Sequence, residues 1–81
     1  MTGRLPIYLE IEAERARQDE KFGDQSGNSV LEWNAILGEE YGEVAKEACE
    51  GHFTHPHGET PNLRTELVQV AAVAVAWLET L

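Results

Sequence analysis

The last part of the chain, RTELVQVAAVAVAWLETL, sets the terms for everything before it. Residues 67–78 are apolar on nearly every side, with only Gln69 interrupting them. A helix that is apolar all round has to be covered on most of its surface. The whole chain offers 81 residues for that purpose, and chains this short bury only about 60–65% of their unfolded surface. The sequence therefore predicts an all-α protein, one domain over residues 1–81, whose last helix is covered by further copies in a homo-oligomeric bundle. No disulfide can substitute for that core, because Cys49 stands alone. A single cysteine fits a reducing, intracellular setting. The apolar run falls well short of the ~20 residues a membrane span needs. The N-terminus lacks the apolar stretch of a signal peptide. The expectation is a soluble, cytoplasmic protein with no membrane partner.

Charge narrows the partners. Lys and Arg total 6 against 15 Asp and Glu, a net charge of -9. A protein that tracks a nucleic-acid polymer needs a basic footprint, and this chain has none. A single nucleotide is not excluded, since a metal ion can carry its phosphates.

Three helices account for the pattern. The first starts at Pro6, which suits a first turn, and runs to about Lys21, with Ile7, Ile11, Tyr8 and Phe22 as its apolar side. Turn chemistry follows in FGDQSGN. Ser29 and Glu32 then form the S-x-x-E signature of a capping box. The helix it opens is predicted to reach about Glu50 and to stop at Gly51. Its apolar stripe is Val30, Trp33, Leu37, Tyr41, Val44 and Ala48. Gly38 and Gly42 either admit a close neighbour or are simply tolerated. Residues 52–60 read as a loop, and Thr60-Pro61 as the cap and first turn of the last helix.

The acidic residues are not placed as a solvated face would be. The segment GEEYGEVAKEACE puts Glu40, Glu43 and Glu47 on one stripe, directly beside the apolar stripe rather than opposite it. Glu66 sits inside the apolar last helix, three residues before Gln69. Charges are seldom buried without a partner. Were the two helices antiparallel, Glu40, Glu43, Glu66 and Gln69 would meet across the seam. Carboxylates that close repel and raise one another's pKa, and a divalent cation would relieve this. Hard oxygen donors favour Mg²⁺ or Mn²⁺ over Zn²⁺. The plainer alternative is a solvated helix pairing Glu43 with Lys46.

Two other groups stand out. Arg15, Arg17, Gln18 and Lys21 gather half of the scarce positive charge in one place and would suit a phosphate clamp. The alternative is ordinary pairing on the helix surface, Glu12 with Arg15 or Glu14 with Gln18. Cys49, His52, His55 and His57 match no familiar zinc spacing and read as a helix end and a histidine-bearing loop. Among the aromatic residues, the register of Trp33 and Tyr41 assigns them to the core, leaving Phe22 as the freer ring.

GEEYGEVAKE followed by LRTELVQVAAVAVAWLE resembles the all-α nucleoside triphosphate pyrophosphohydrolases of the MazG type. Their signature is E-E-x-x-E on one helix and E-x-x-D on the next. Glu39, Glu40 and Glu43 match its first half, and Glu66 begins the second, where Gln69 replaces the aspartate. The lead-in ERARQDEKFG is similar to that of short, single-domain MazG-like proteins. The resemblance covers residues 11–81. It implies a helical hairpin-type subunit assembling as a homodimer or homotetramer on a four-helix-bundle core. It also implies Mg²⁺-dependent hydrolysis of a nucleoside triphosphate to the monophosphate and pyrophosphate. By position, Glu40, Glu43 and Glu66 would hold metal, with Gln69 at the fourth place. Glu39 would orient the attacking water or add a ligand, and Glu43 would serve catalysis as well. The rival reading is a non-catalytic nucleotide- or protein-binding bundle with a degenerate metal site.

Overall fold

A computed structural model describes residues 3–81. Among them the chain is all-helical, without strands: α1 (Arg4–Phe22), α2 (Val30–Phe53) and α3 (Leu63–Leu78). None of the three is long and apolar enough to cross a membrane.

The apolar third helix is the central element. Both α1 and α2 pack on α3, and not on one another. Trp33 near the start of α2 meets Val73 and Ala76 near the end of α3. At the other end Glu47 of α2 meets the residue before α3, accepting the Asn62 N–H at 2.9 Å. The two helices therefore run antiparallel, the arrangement in which the acidic residues can meet. α1 runs parallel to α3, since Arg64 binds Glu10 and Arg15 binds Glu79 with two hydrogen bonds of 3.1 and 2.8 Å. The result is a molecule of 44 × 31 × 20 Å.

The core is correspondingly thin. Trp33 is 2% exposed, Ala72 is fully buried, and Val44, Val73 and Ala76 complete the set. Ile36, Leu37 and Trp77 pack half-buried around it. Fully burying one large apolar side chain stabilises by roughly 1.5–3 kcal/mol, so few residues carry much of the fold. The rest of α3, including Val68, Val70, Ala71, Ala74 and Val75, is only half-covered.

Helix ends show where local chemistry decided and where packing did. The capping box forms: the Glu32 N–H donates to Ser29 Oγ, and the Ser29 N–H donates to Glu32 Oε1 at 2.9 Å. α1 begins at Arg4, two residues before Pro6, which still lies in the first turn where amide N–H groups lack helical acceptors. α1 closes at Gly23, whose φ of 71° favours glycine.

Gly51 does not stop α2, which runs on to Phe53 with Thr54 as its cap. The glycine is needed for a different reason. A Cβ there would lie 2.5 Å from Thr60 Cγ2 and 3.0 Å from the Glu59 carbonyl oxygen, so the loop returning to α3 crosses directly over it. Thr60 is likewise not the cap of α3. It accepts the Leu63 N–H in a turn, and Asn62 precedes the helix, its own N–H taken by Glu47.

The stripe on α2 is narrower than its periodicity suggested. Trp33, Leu37 and Val44 face α3, whereas Val30, Tyr41 and Ala48 are exposed. Tyr41, 62% exposed, is not a core residue. With α1 packed elsewhere, α2 has one neighbour and needs only one narrow contact line. Nothing lies within 4 Å of a Cβ built at Gly38 or Gly42. On α1, Ile11 is half-buried, while Ile7, Tyr8 and Phe22 are exposed.

Candidate functional site

Antiparallel packing of α2 on α3 brings three of the predicted carboxylates together. One oxygen each from Glu40, Glu43 and Glu66 lies within 4.8 Å of the others. Glu40 and Glu43 share a face because they are three residues apart on α2, and Glu66 enters from the first turn of α3. Glu43 is exposed and opens the group to solvent. Glu40 Oε2 and Glu66 Oε2 are buried and accept no hydrogen bond. Buried acceptors without donors are unfavourable. On the solvent side lies a depression of about 260 Å³ lined by Glu43, Lys46, Glu47, Glu50, Asn62 and Glu66.

The electrostatics agree with the geometry. The Glu66 carboxyl is held above the ordinary carboxylate range first by the Glu43 carboxyl beside it, which favours a proton shared between the two, then by loss of water and by repulsion from Glu43, Glu40 and Glu47. Glu40 is also raised, chiefly by loss of water, with Glu43, Glu14 and Glu39 adding repulsion and Arg17 opposing it. Each group is easier to protonate here than in water, and each would give up that proton to a divalent ion.

The other predicted residues fall in several places. Gln69 is half-buried one turn beyond Glu66, on the same side of α3 within about 60°. The three carboxylates close without it. Glu39 is exposed and outside the trio. Glu47 lines the depression, with one oxygen already engaged by Asn62.

The residues of α1 divide. Arg15 joins α1 to α3 through Glu79, with Asp19 at 2.7 Å, and lines a separate cavity of about 470 Å³ with Trp33 and Ala76. Arg17 forks onto Glu14 at 2.8 and 2.6 Å. Gln18 is buried, 7% exposed, and donates to Glu14 at 3.3 Å. Lys21 lies 5.1 Å from the Phe22 ring centre. No group of three including Cys49 or the loop histidines comes together among the described residues.

Sequence reasoning named Glu14 only as a surface partner of Gln18, a bond that does form, and missed its fork with Arg17. Its side chain is 12% exposed, and its charge, with that of Arg17, acts on Glu40. Its signal was the E-x-x-R-Q spacing, which lets one carboxylate hold both Arg17 and Gln18 on the next turn.

Comparison of the chain with protein-family models, curated proteins and solved structures finds no match.

Proposed function

We propose that the protein is a divalent-metal-dependent nucleoside triphosphate pyrophosphohydrolase of the MazG-like kind, converting a nucleoside triphosphate and water to the monophosphate and pyrophosphate. The observation that carries this reading is the convergence of Glu40, Glu43 and Glu66, with two buried oxygens that accept no hydrogen bond. The donor set fits Mg²⁺ or Mn²⁺: all hard oxygens, carboxylate-rich, with Glu43 open to solvent and substrate.

When bound, Mg²⁺ supplies a Lewis acid for phosphate oxygens and lowers the pKa of water. The chain's own residues do the rest. Glu40 and Glu66, from two helices, would hold the ion, with Glu43 as the ligand on the solvent side. Glu39, one residue from Glu40, is available to orient the attacking water. Attack at the α-phosphorus breaks its bond to the α–β bridging oxygen and releases pyrophosphate. Gln69 gives an amide oxygen where aspartate would give a charge, which weakens any second metal position. Arg17 stands near this group, whereas Arg15 and Lys21 do not share its position. The half-covered α3 and a groove of about 290 Å³ along Ile7, Ile11, Leu67, Val68 and Ala71, bordered by Arg64, offer a surface for a homo-oligomeric four-helix core. The cytoplasm, where nucleoside triphosphates are held, is its proposed location.

The test is pyrophosphate release from a panel of ribo- and deoxyribonucleoside triphosphates with Mg²⁺ or Mn²⁺, beside a Glu43→Gln control. Release that needs metal and vanishes in the control supports the enzyme. No release from any nucleotide by the folded protein sinks it in favour of a binding bundle. Gain of release in Gln69→Asp would then assign the loss to that amide.

A further inference from the structure

Between α1 and α3 runs a cleft of about 320 Å³ that the carboxylate trio does not use. Glu10, Glu14 and Arg17 line it from α1, and Arg64, Thr65 and Val68 from α3. It holds two of the six cationic residues of a chain with net charge -9. Each guanidinium is forked onto a carboxylate of α1: Arg64 onto Glu10, with its Nε at 3.0 Å, and Arg17 onto Glu14. The cleft also adjoins the trio. Thr65 directly precedes Glu66 and turns about 100° from it toward α1. Arg17 and Glu14 are near enough to Glu40 to act on it.

We propose that this cleft is the seat of the polyphosphate arm, with Arg17 and Arg64 as its two forks and Glu10 and Glu14 as the carboxylates that occupy them beforehand. The proposal rests on the hydrolase reading for its substrate, and it adds Arg64, which no motif singled out. The exchange is chemically even-handed. An exposed Arg–Glu pair contributes little to stability, and Arg64 and Glu10 both have exposed side chains. A phosphate group presents the same bidentate edge as a carboxylate, with more charge. The displaced Glu10 side chain returns to water, while Glu14, 12% exposed, keeps only the hydrogen bond from Gln18. Arg64 and Arg17 reach the cleft from different helices, so an anion binding both would also join α1 to α3 more firmly.

Inorganic pyrophosphate is the probe, because its binding can be read without turnover. Calorimetric titration of the full chain, with and without Mg²⁺, is compared for the wild type, Arg64→Gln, Arg17→Gln, Glu10→Gln and Arg4→Gln. Arg4, at the exposed start of α1 and outside the cleft, controls for net charge. Losing one charge-assisted fork weakens binding by about tenfold or more. The expected order is weaker binding in Arg64→Gln and Arg17→Gln, little change in Arg4→Gln, and tighter binding in Glu10→Gln, which frees Arg64. Tightening in Glu10→Gln beyond the general gain from removing one negative charge is something a purely structural ion pair would not give. Equal weakening in all three arginine variants, or no pyrophosphate binding by the folded wild type, overturns the proposal. Binding that follows the expected order in a protein that releases no pyrophosphate keeps the cleft and rejects the enzyme. Turnover whose KM ignores Arg64→Gln keeps the enzyme and rejects the cleft.

Discussion

At the scale of single residues, Glu66 is the position where stability and function oppose each other. It is a carboxylate in a mostly apolar helix, pressed against Glu43 and Glu40. Its folded pKa is raised above the ordinary carboxyl value of 4.5, so the folded state binds the proton more tightly than the unfolded state. Stability from this group is therefore present at low pH and falls as pH rises from 4.5 through the raised folded value. Glu66→Gln removes the titrating charge. In metal-free buffer the variant is expected to melt higher than the wild type at neutral pH, with the gap closing as pH falls toward 4.5. Added Mg²⁺ should reverse the order, since only the wild type keeps the full trio. Paired thermal melts across pH, with chelator and with Mg²⁺, check this, and a gap that does not vary with pH refutes it. The trio was legible because i,i+3 spacing on one helix and a carboxylate in an apolar run are local facts. Glu14 was not, because its position beside Glu40 depends on which helix α1 packs against, and periodicity does not report that.

At the scale of elements, the glycines of α2 separate two roles that the sequence shows alike. Gly38 and Gly42 face open space, while Gly51 lies under the loop carrying Glu59 and Thr60. Gly51→Ala drives a Cβ into a short branched side chain and a backbone carbonyl, neither of which can swing away. The expected cost is about 1–3 kcal/mol, and it should pull Asn62 from Glu47, loosening the edge of the acidic depression. Gly38→Ala meets nothing, so the better helix propensity of alanine should stabilise by roughly 0.5–1 kcal/mol. Denaturant unfolding of both variants reads the two signs directly, and equal effects would refute the assignment. Three helices, the turn after α1 and the capping box were all legible, because caps and glycine turns are satisfied within a few residues. The ends around residues 51–62 were not. There a loop folding back over α2 and a carboxylate from α2 displaced the glycine stop and the threonine cap, and both contacts are long-range.

At the scale of the whole molecule, the fold leaves its own organising helix unfinished. The all-helical class followed from composition and period, but α3 is covered on two flanks only, and its central residues owe their burial to small alanines and one tryptophan. Leu67 is 49% exposed and lies with Ile7, Ile11, Val68 and Ala71 along one apolar groove. Self-association through that groove has to overcome repulsion between two chains of net charge -9, so the apolar contact must supply most of the affinity. Raising salt should then strengthen association by screening the repulsion, the opposite of what ion-paired interfaces do. Leu67→Glu places a charge in the lining of the groove, away from the cluster of Trp33, Val73 and Ala76. It is expected to reduce the mass in solution to that of one chain while leaving helix content unchanged. Sedimentation equilibrium at low and high salt, with circular dichroism on the same samples, measures both. A wild type that stays monomeric at every salt concentration rejects the homo-oligomeric core. A Leu67→Glu variant that associates like the wild type moves the interface away from this groove, toward the open glycine face of α2.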